Sequence, residues 1–120
     1  MMDIDVSNQT RSLESPLRVT NCESFACRLK GLMFRRDLDP QGGLLMVQPR
    51  ETRTNAAIHM FFVNMDLGVI WLDSAGKVVD IQLAKSWQPM YTPQSPAKFI
   101  LEIHPVRLPE FQIGDQLSFE

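Results

Sequence analysis

Apolar and polar positions follow a period of two over most of this chain, and one early stretch alone shows helical spacing. Across residues 57–63 one face would carry Ala57, His59, Phe61 and Val63 and the other Ile58, Met60 and Phe62, so both are mainly apolar. A strand like that is covered on both sides, and this one is expected to be central. Residues 67–72 repeat the pattern with Leu67, Val69 and Trp71 opposite Gly68, Ile70 and Leu72, rich in residues that suit a pleated surface. Asp73, Ser74, Ala75 and Gly76 then read as a type I turn, with aspartate first and glycine fourth. Beyond it Val79, Ile81 and Leu83 alternate with Asp80 and Gln82, which predicts a strand whose apolar side is covered and whose other side is wet.

Earlier in the chain, residues 1–16 hold few large apolar side chains and are expected to be a flexible tail ahead of a single mainly-β domain over 17–120. Residues 17–20 suit a short strand. Asn21 can cap a following helix, in which Phe25, Leu29, Leu32 and Met33 form an apolar stripe of about three turns. The turn-forming residues 37–43 end it, 44–47 resume as a strand, and the polar residues 49–55 predict a surface connection. Residues 87–96 carry three prolines and predict a loop bearing Trp87 and Tyr91. Residues 98–103 return to strand, 108–112 allow a helical turn, and 113–115 turn into a last strand over 116–120. About six to seven short strands with one short N-terminal helix do not alternate as a doubly wound fold requires. The expected class is mainly β, a compact β-sandwich or barrel.

Composition narrows the function classes. The chain has 120 residues, enough for one buried core, and 44% hydrophobic with 22% charged residues, as in ordinary folded proteins. A net charge of −2 argues against a nucleic-acid backbone as partner. The start of the chain lacks a basic, then apolar, leader and no segment is long and apolar enough to span a membrane, so a cytoplasmic location is the default expectation. Cys22 and Cys27, five apart, match neither a redox nor a zinc spacing and are expected to be unpaired thiols.

The residues 29–38 (LKGLMFRRDL), 42–49 (GGLLMVQP), 58–81 and 96–115 together resemble the domain of unknown function 192 family, over about residues 17–120. The resemblance implies a small, mainly β fold with one short helix and no particular activity. The family motif Ile-His-Thr-x-x-Met-x-x-Pro-Ile-Asp is matched at Ile58 and His59, while Met60, Asp66 and Gly68 stand at the threonine, proline and aspartate positions. An acid after His59 would thus have to come from Asp66.

Candidate chemistry follows from these residues. His59 can bind or transfer a proton, and the alternative for it is a core histidine bonded to nearby backbone. His59, Asp66, Trp87, Tyr91 and Glu102 are the candidate lining of a pocket for a small ligand or peptide, and Arg35, Arg36, Arg50 and Arg53 a candidate anion site. For Arg35 and Arg36 the competing reading is that they complement the negative end of the helix dipole. His59 and His104 without a third ligand give no zinc signature, and no cofactor motif or nucleophile elbow occurs. The reading favoured is a non-catalytic binding module. The alternatives are a hydrolytic or metal-assisted enzyme using His59 with Asp66 or Glu102, and an interaction protein that docks a partner.

Overall fold

In a computed structural model, which describes residues 3–120, seven strands form one curled sheet. They are β1 (Asp3–Asn8), β2 (Arg18–Cys22), β3 (Gly43–Thr52), β4 (Leu67–Leu72), β5 (Val78–Ala84), β6 (Ala97–Ile103) and β7 (Leu117–Phe119). A six-residue helix, α1 (Phe25–Lys30), joins β2 to β3, and a 3-10 helix spans Pro105–Glu110. The strand order is β5-β4-β6-β3-β2-β1-β7, with β2 and β3 parallel and every other pair antiparallel. The two edges approach each other: Lys77 bridges Gln116, and the Val78 N–H donates to the Asp115 carbonyl at 2.8 Å. The mainly β expectation holds, in the form of a half-barrel.

Side-chain alternation divides the core between the two faces of this sheet. Inside the curl lie Val19, Leu45, Ile70, Leu72, Leu101 and Ile103. On the other face Leu44, Met46, Val69, Trp71 and Ile100 pack beneath Leu32, Ala56, Ile58, Met60 and Val63. Strand β4 is therefore buried at every position, as its doubly apolar sequence requires. The predicted turn at 73–76 is present. Asp73 Oδ1 accepts from the Ala75 and Lys77 N–H groups, and Gly76 takes φ +83°, where a Cβ would lie 2.8 Å from the Leu117 carbonyl oxygen.

Several expectations are corrected. Residues 57–63 form no central strand, because β5 and β6 occupy both sides of β4; the segment lies across the sheet face instead. It is held there by the Trp71 indole N–H donating to the Ala56 carbonyl at 2.7 Å and by a two-way backbone bridge between Ile58 and Tyr91. Phe62, at φ +62°, breaks any extended run. The flexible-tail reading fails over Asp3–Asn8, since β1 pairs with both β2 and β7 and buries Val6; its first two residues, Met1 and Met2, lie outside the described residues. Strand β5 presents the opposite side from that expected: Val78, Asp80 and Ala84 are buried, while Leu83 is 42% exposed. Burial of Asp80 is compensated by donors from the Gln94 and Ile81 backbone and the Gln82 amide.

Candidate functional site

Helix α1 is short because its signals are close together. Ser24, not Asn21, is the N-cap and accepts from the Cys27 N–H at 3.1 Å, and Gly31 ends the helix at φ +48°. Phe25 and Leu29 of the expected stripe are 72% and 57% exposed, and only Leu32 and Met33, both past the helix end, reach the core. The helix is held down covalently instead. Cys22 at the end of β2 and Cys27 in α1 form a disulfide with Cα atoms 5.7 Å apart, which corrects the expectation of unpaired thiols. A strand end followed by a turn brings two cysteines five apart within bonding range, although the spacing matches no redox or zinc motif.

That arrangement opens a cleft of about 410 Å³ between α1, residues 55–63 and the outer face of β3 and β6. Its apolar lining includes Leu29, Leu32, Met46, Ile58, Val63 and Ile100. Glu102 faces it from β6, and its cross-strand neighbours are Leu44 on β3 and Val69 on β4. The carboxyl is 4% exposed, and Oε1 has no hydrogen-bond partner among the described residues. Burial alone pushes its pKa up to about 7. Gly31 keeps this oxygen uncovered from the α1 side: a Cβ there would lie 3.7 Å from Oε1.

His59 lines the same cleft, half-buried rather than in the core. Its Nδ1 accepts from the Phe61 N–H at 3.2 Å, so Nε2 carries the hydrogen and faces the Leu29 carbonyl at 3.3 Å. Both ring nitrogens thus serve backbone groups and tie residues 59–61 to α1. Arg28 is also committed, its Nη1 donating to the Glu23 and Val47 carbonyls at 2.6 and 3.2 Å.

The other predicted site residues do not join His59 and Glu102. Asp66 accepts from the Ser86 N–H at 2.9 Å and from Lys85 Nζ at 3.3 Å, and the Ser86 bond leads the causes that hold its carboxyl below the usual range. Tyr91 Oη accepts from the Lys85 N–H, so Asp66 and Tyr91 together fix the turn after β5. Trp87 is exposed at φ +66°, donates to Asn64 Oδ1 and packs edge-on against Phe62 with ring centroids 4.9 Å apart. Of the arginines, Arg53 is bonded to the Pro93 carbonyl, Arg35 lines a second cleft of about 330 Å³, and Arg36 and Arg50 are exposed. Arg35 and Arg36 lie past Lys30, so the basic residues in the last turn of α1 are Arg28 and Lys30. No group of three or more His, Cys, Asp or Glu side chains among the described residues could hold a metal ion. No helix among them is long and apolar enough to cross a membrane.

Sequence reasoning missed Gln48 and Gly31 as parts of this cleft, and the disulfide that anchors α1 beside it. Gln48 is buried on β3, at the junction between the expected strand over 44–47 and the expected surface connection over 49–55. The disulfide supports the wall directly. Replacing Cys22 and Cys27 together by serine is expected to cost about 2 kcal/mol, the value for so short a closed loop. Urea unfolding with and without reductant measures it: the wild type loses that stability on reduction and the double variant does not respond.

Comparison with known proteins places the chain among relatives. It is 39% identical over 116 residues to the UPF0127 protein TK1120 of Thermococcus kodakarensis, covering 95% of this chain and 72% of that one. With the UPF0127 protein PF1050 of Pyrococcus furiosus it shares 40% identity over 95 residues, 79% of this chain and 78% of the relative. Among solved structures, a provisional transcription regulator of Sinorhizobium meliloti superposes with a TM-score of 0.84 at 19% identity, covering 98% of this chain and 92% of that one. A protein of unknown function from Novosphingobium aromaticivorans gives 0.82 at 21% identity, covering 98% and 84%. These two likenesses show the fold. The model of the family DUF192, described as an uncharacterized ACR, matches residues 6–119, from within β1 to the end of β7, and the chain belongs to that family.

Proposed function

We propose that this protein is a non-catalytic binding module whose ligand is a small molecule held in the cleft between α1 and the sheet. The observation that carries this reading is Glu102 Oε1, a buried oxygen without a hydrogen-bond partner among the described residues, at the floor of a cleft with apolar walls. An unpaired buried polar atom costs stability, and in binding sites such atoms are completed by the ligand. The cleft volume of about 410 Å³ falls within the range of small-molecule pockets, roughly 300–1,000 Å³. His59 shapes this site and does not act as a base, because its Nδ1 lone pair already accepts a backbone hydrogen bond. Asp66, Trp87 and Tyr91, committed to the turn after β5, lie outside the site so defined.

The test is a thermal-shift screen of cationic, anionic, zwitterionic and neutral small molecules against wild type and Ala57→Trp. Ala57 lines the cleft, and an indole there would fill it. Ligands are expected to raise the melting temperature of the wild type and not of the variant, provided its circular dichroism shows the native sheet. Equal shifts in both proteins, or none in either, would refute the cleft as the binding site.

A further inference from the structure

The chemistry of the cleft narrows the ligand further, and this step rests on the binding reading above. Glu102 Oε1 needs a hydrogen-bond donor, and no donor among the described residues supplies it. Its strand neighbours Leu44, Met46, Val69 and Ile100 are apolar. The ionisable groups lining the same cleft from the elements packed over it are Arg28 and Lys30 of α1 and His59 of the crossing segment. Arg28 and His59 are already bonded to backbone carbonyls, and Lys30 is exposed at the end of the helix. An ionised carboxyl in such surroundings is costly unless a cation meets it. A bare cation would in turn face Arg28 and Lys30, two positive charges lining the same cleft. A ligand with an ammonium group at one end and a carboxylate at the other answers both demands. Between them, Leu29, Ile58 and Val63 offer hydrocarbon contact.

We infer that the cleft takes a small zwitterion, an amino acid with an aliphatic side chain. Its ammonium group donates to Glu102 Oε1, its carboxylate faces Arg28 and Lys30, and its side chain packs on Ile58 and Val63. Charge-assisted contacts of this kind outweigh neutral ones, so removing either end of the ligand should weaken binding strongly.

Four compounds that share one isopentyl group test this by calorimetry: leucine, isopentylamine, 4-methylpentanoate and isopentanol, each with wild type, Glu102→Gln and Lys30→Ala. Leucine is expected to bind most tightly, isopentylamine more weakly, and the acid and the alcohol at least tenfold more weakly than leucine. Glu102→Gln should weaken leucine and isopentylamine by tenfold or more and leave the other two unchanged, while Lys30→Ala should weaken leucine alone. An acid or alcohol that binds as tightly as leucine, or a Glu102→Gln protein that binds leucine like wild type, would overturn the inference. Leucine no tighter than isopentylamine would overturn the part assigned to Arg28 and Lys30. If the acid or alcohol prevails but is lost in Ala57→Trp, the inference falls and the binding reading stands. If none of the four binds and the broader screen is also silent, both fall.

Discussion

Arg107→Ala is expected to destabilise the protein by about 3–5 kcal/mol, the cost of stranding one partner of a buried ion pair. Arg107 is 4% exposed and Glu110 8% exposed, both on the 3-10 helix. The guanidinium forms a bidentate pair with Glu110, donating through Nε to Oε2 and through Nη2 to Oε1. Its remaining hydrogens go to backbone carbonyls: Nη1 to Pro40 at 2.8 Å and Pro16 at 3.2 Å, and Nη2 to Ser15 at 2.8 Å. All five donors of the side chain are therefore used. Glu110 Oε1 also accepts the Glu14 N–H at 2.8 Å. Burial pushes the Glu110 pKa up, but the bonds from Arg107 and Glu14 outweigh it and hold the carboxyl below its ordinary value.

One alanine would thus leave a buried carboxylate without its charge partner and three carbonyls without a donor, and release Ser15, Pro16 and Pro40 from the helix. For a domain with a typical total of about 5–15 kcal/mol, that is a large share. Urea denaturation measures the loss. The double variant Arg107→Met/Glu110→Leu is expected to be more stable than Arg107→Ala, because it removes both charges instead of orphaning one. A loss below about 1 kcal/mol in Arg107→Ala would show that the pair is not buried as described.

The contrast between this clamp and β4 shows what the sequence made legible. Strand β4 and its turn were readable because period-two alternation and an Asp-to-Gly turn are local signals. The Arg107 clamp was invisible because its partners lie up to 92 residues away in the chain. Residues 57–63 misled for a related reason. An apolar run states that a segment is buried, and only the strands already flanking β4 decide that it covers the sheet instead of joining it.

The candidate site was legible in the same partial way. His59 and Glu102 were both named as candidates, and they line one cleft. Asp66 was grouped with them as the acid that could replace the family's aspartate, and Trp87 and Tyr91 as aromatics on a proline-rich loop, yet their bonds are spent on the turn after β5. Glu102 was a candidate for its acid group, with no local signal that it is buried. Its burial depends on α1 and Leu32 folding over the sheet, a long-range event that alternation along β6 does not report.

The same burial makes stability depend on pH, and Glu102→Gln should remove that dependence. In the unfolded chain the Glu102 carboxyl titrates near its ordinary value of 4.5, whereas burial pushes it up to about 7 in the folded protein. Between those values the folded state holds more protons than the unfolded state, so stability falls as pH rises. The contribution is intact below about pH 4.5 and lost as pH passes about 7. Its size is about 3 kcal/mol, from the separation of the two values. Glu110 and Asp115, both held below their ordinary values, act in the opposite sense and at lower pH: their stabilisation is lost as pH falls. Glutamine keeps the shape of the protonated acid but cannot ionise. Urea unfolding of both proteins from pH 5 to 8 isolates the effect, since every other group is shared. Their stabilities should converge toward pH 5, with the variant ahead by about 3 kcal/mol at pH 8. A difference that stays constant across this range would mean that the carboxyl reaches solvent and that the floor of the cleft is wet.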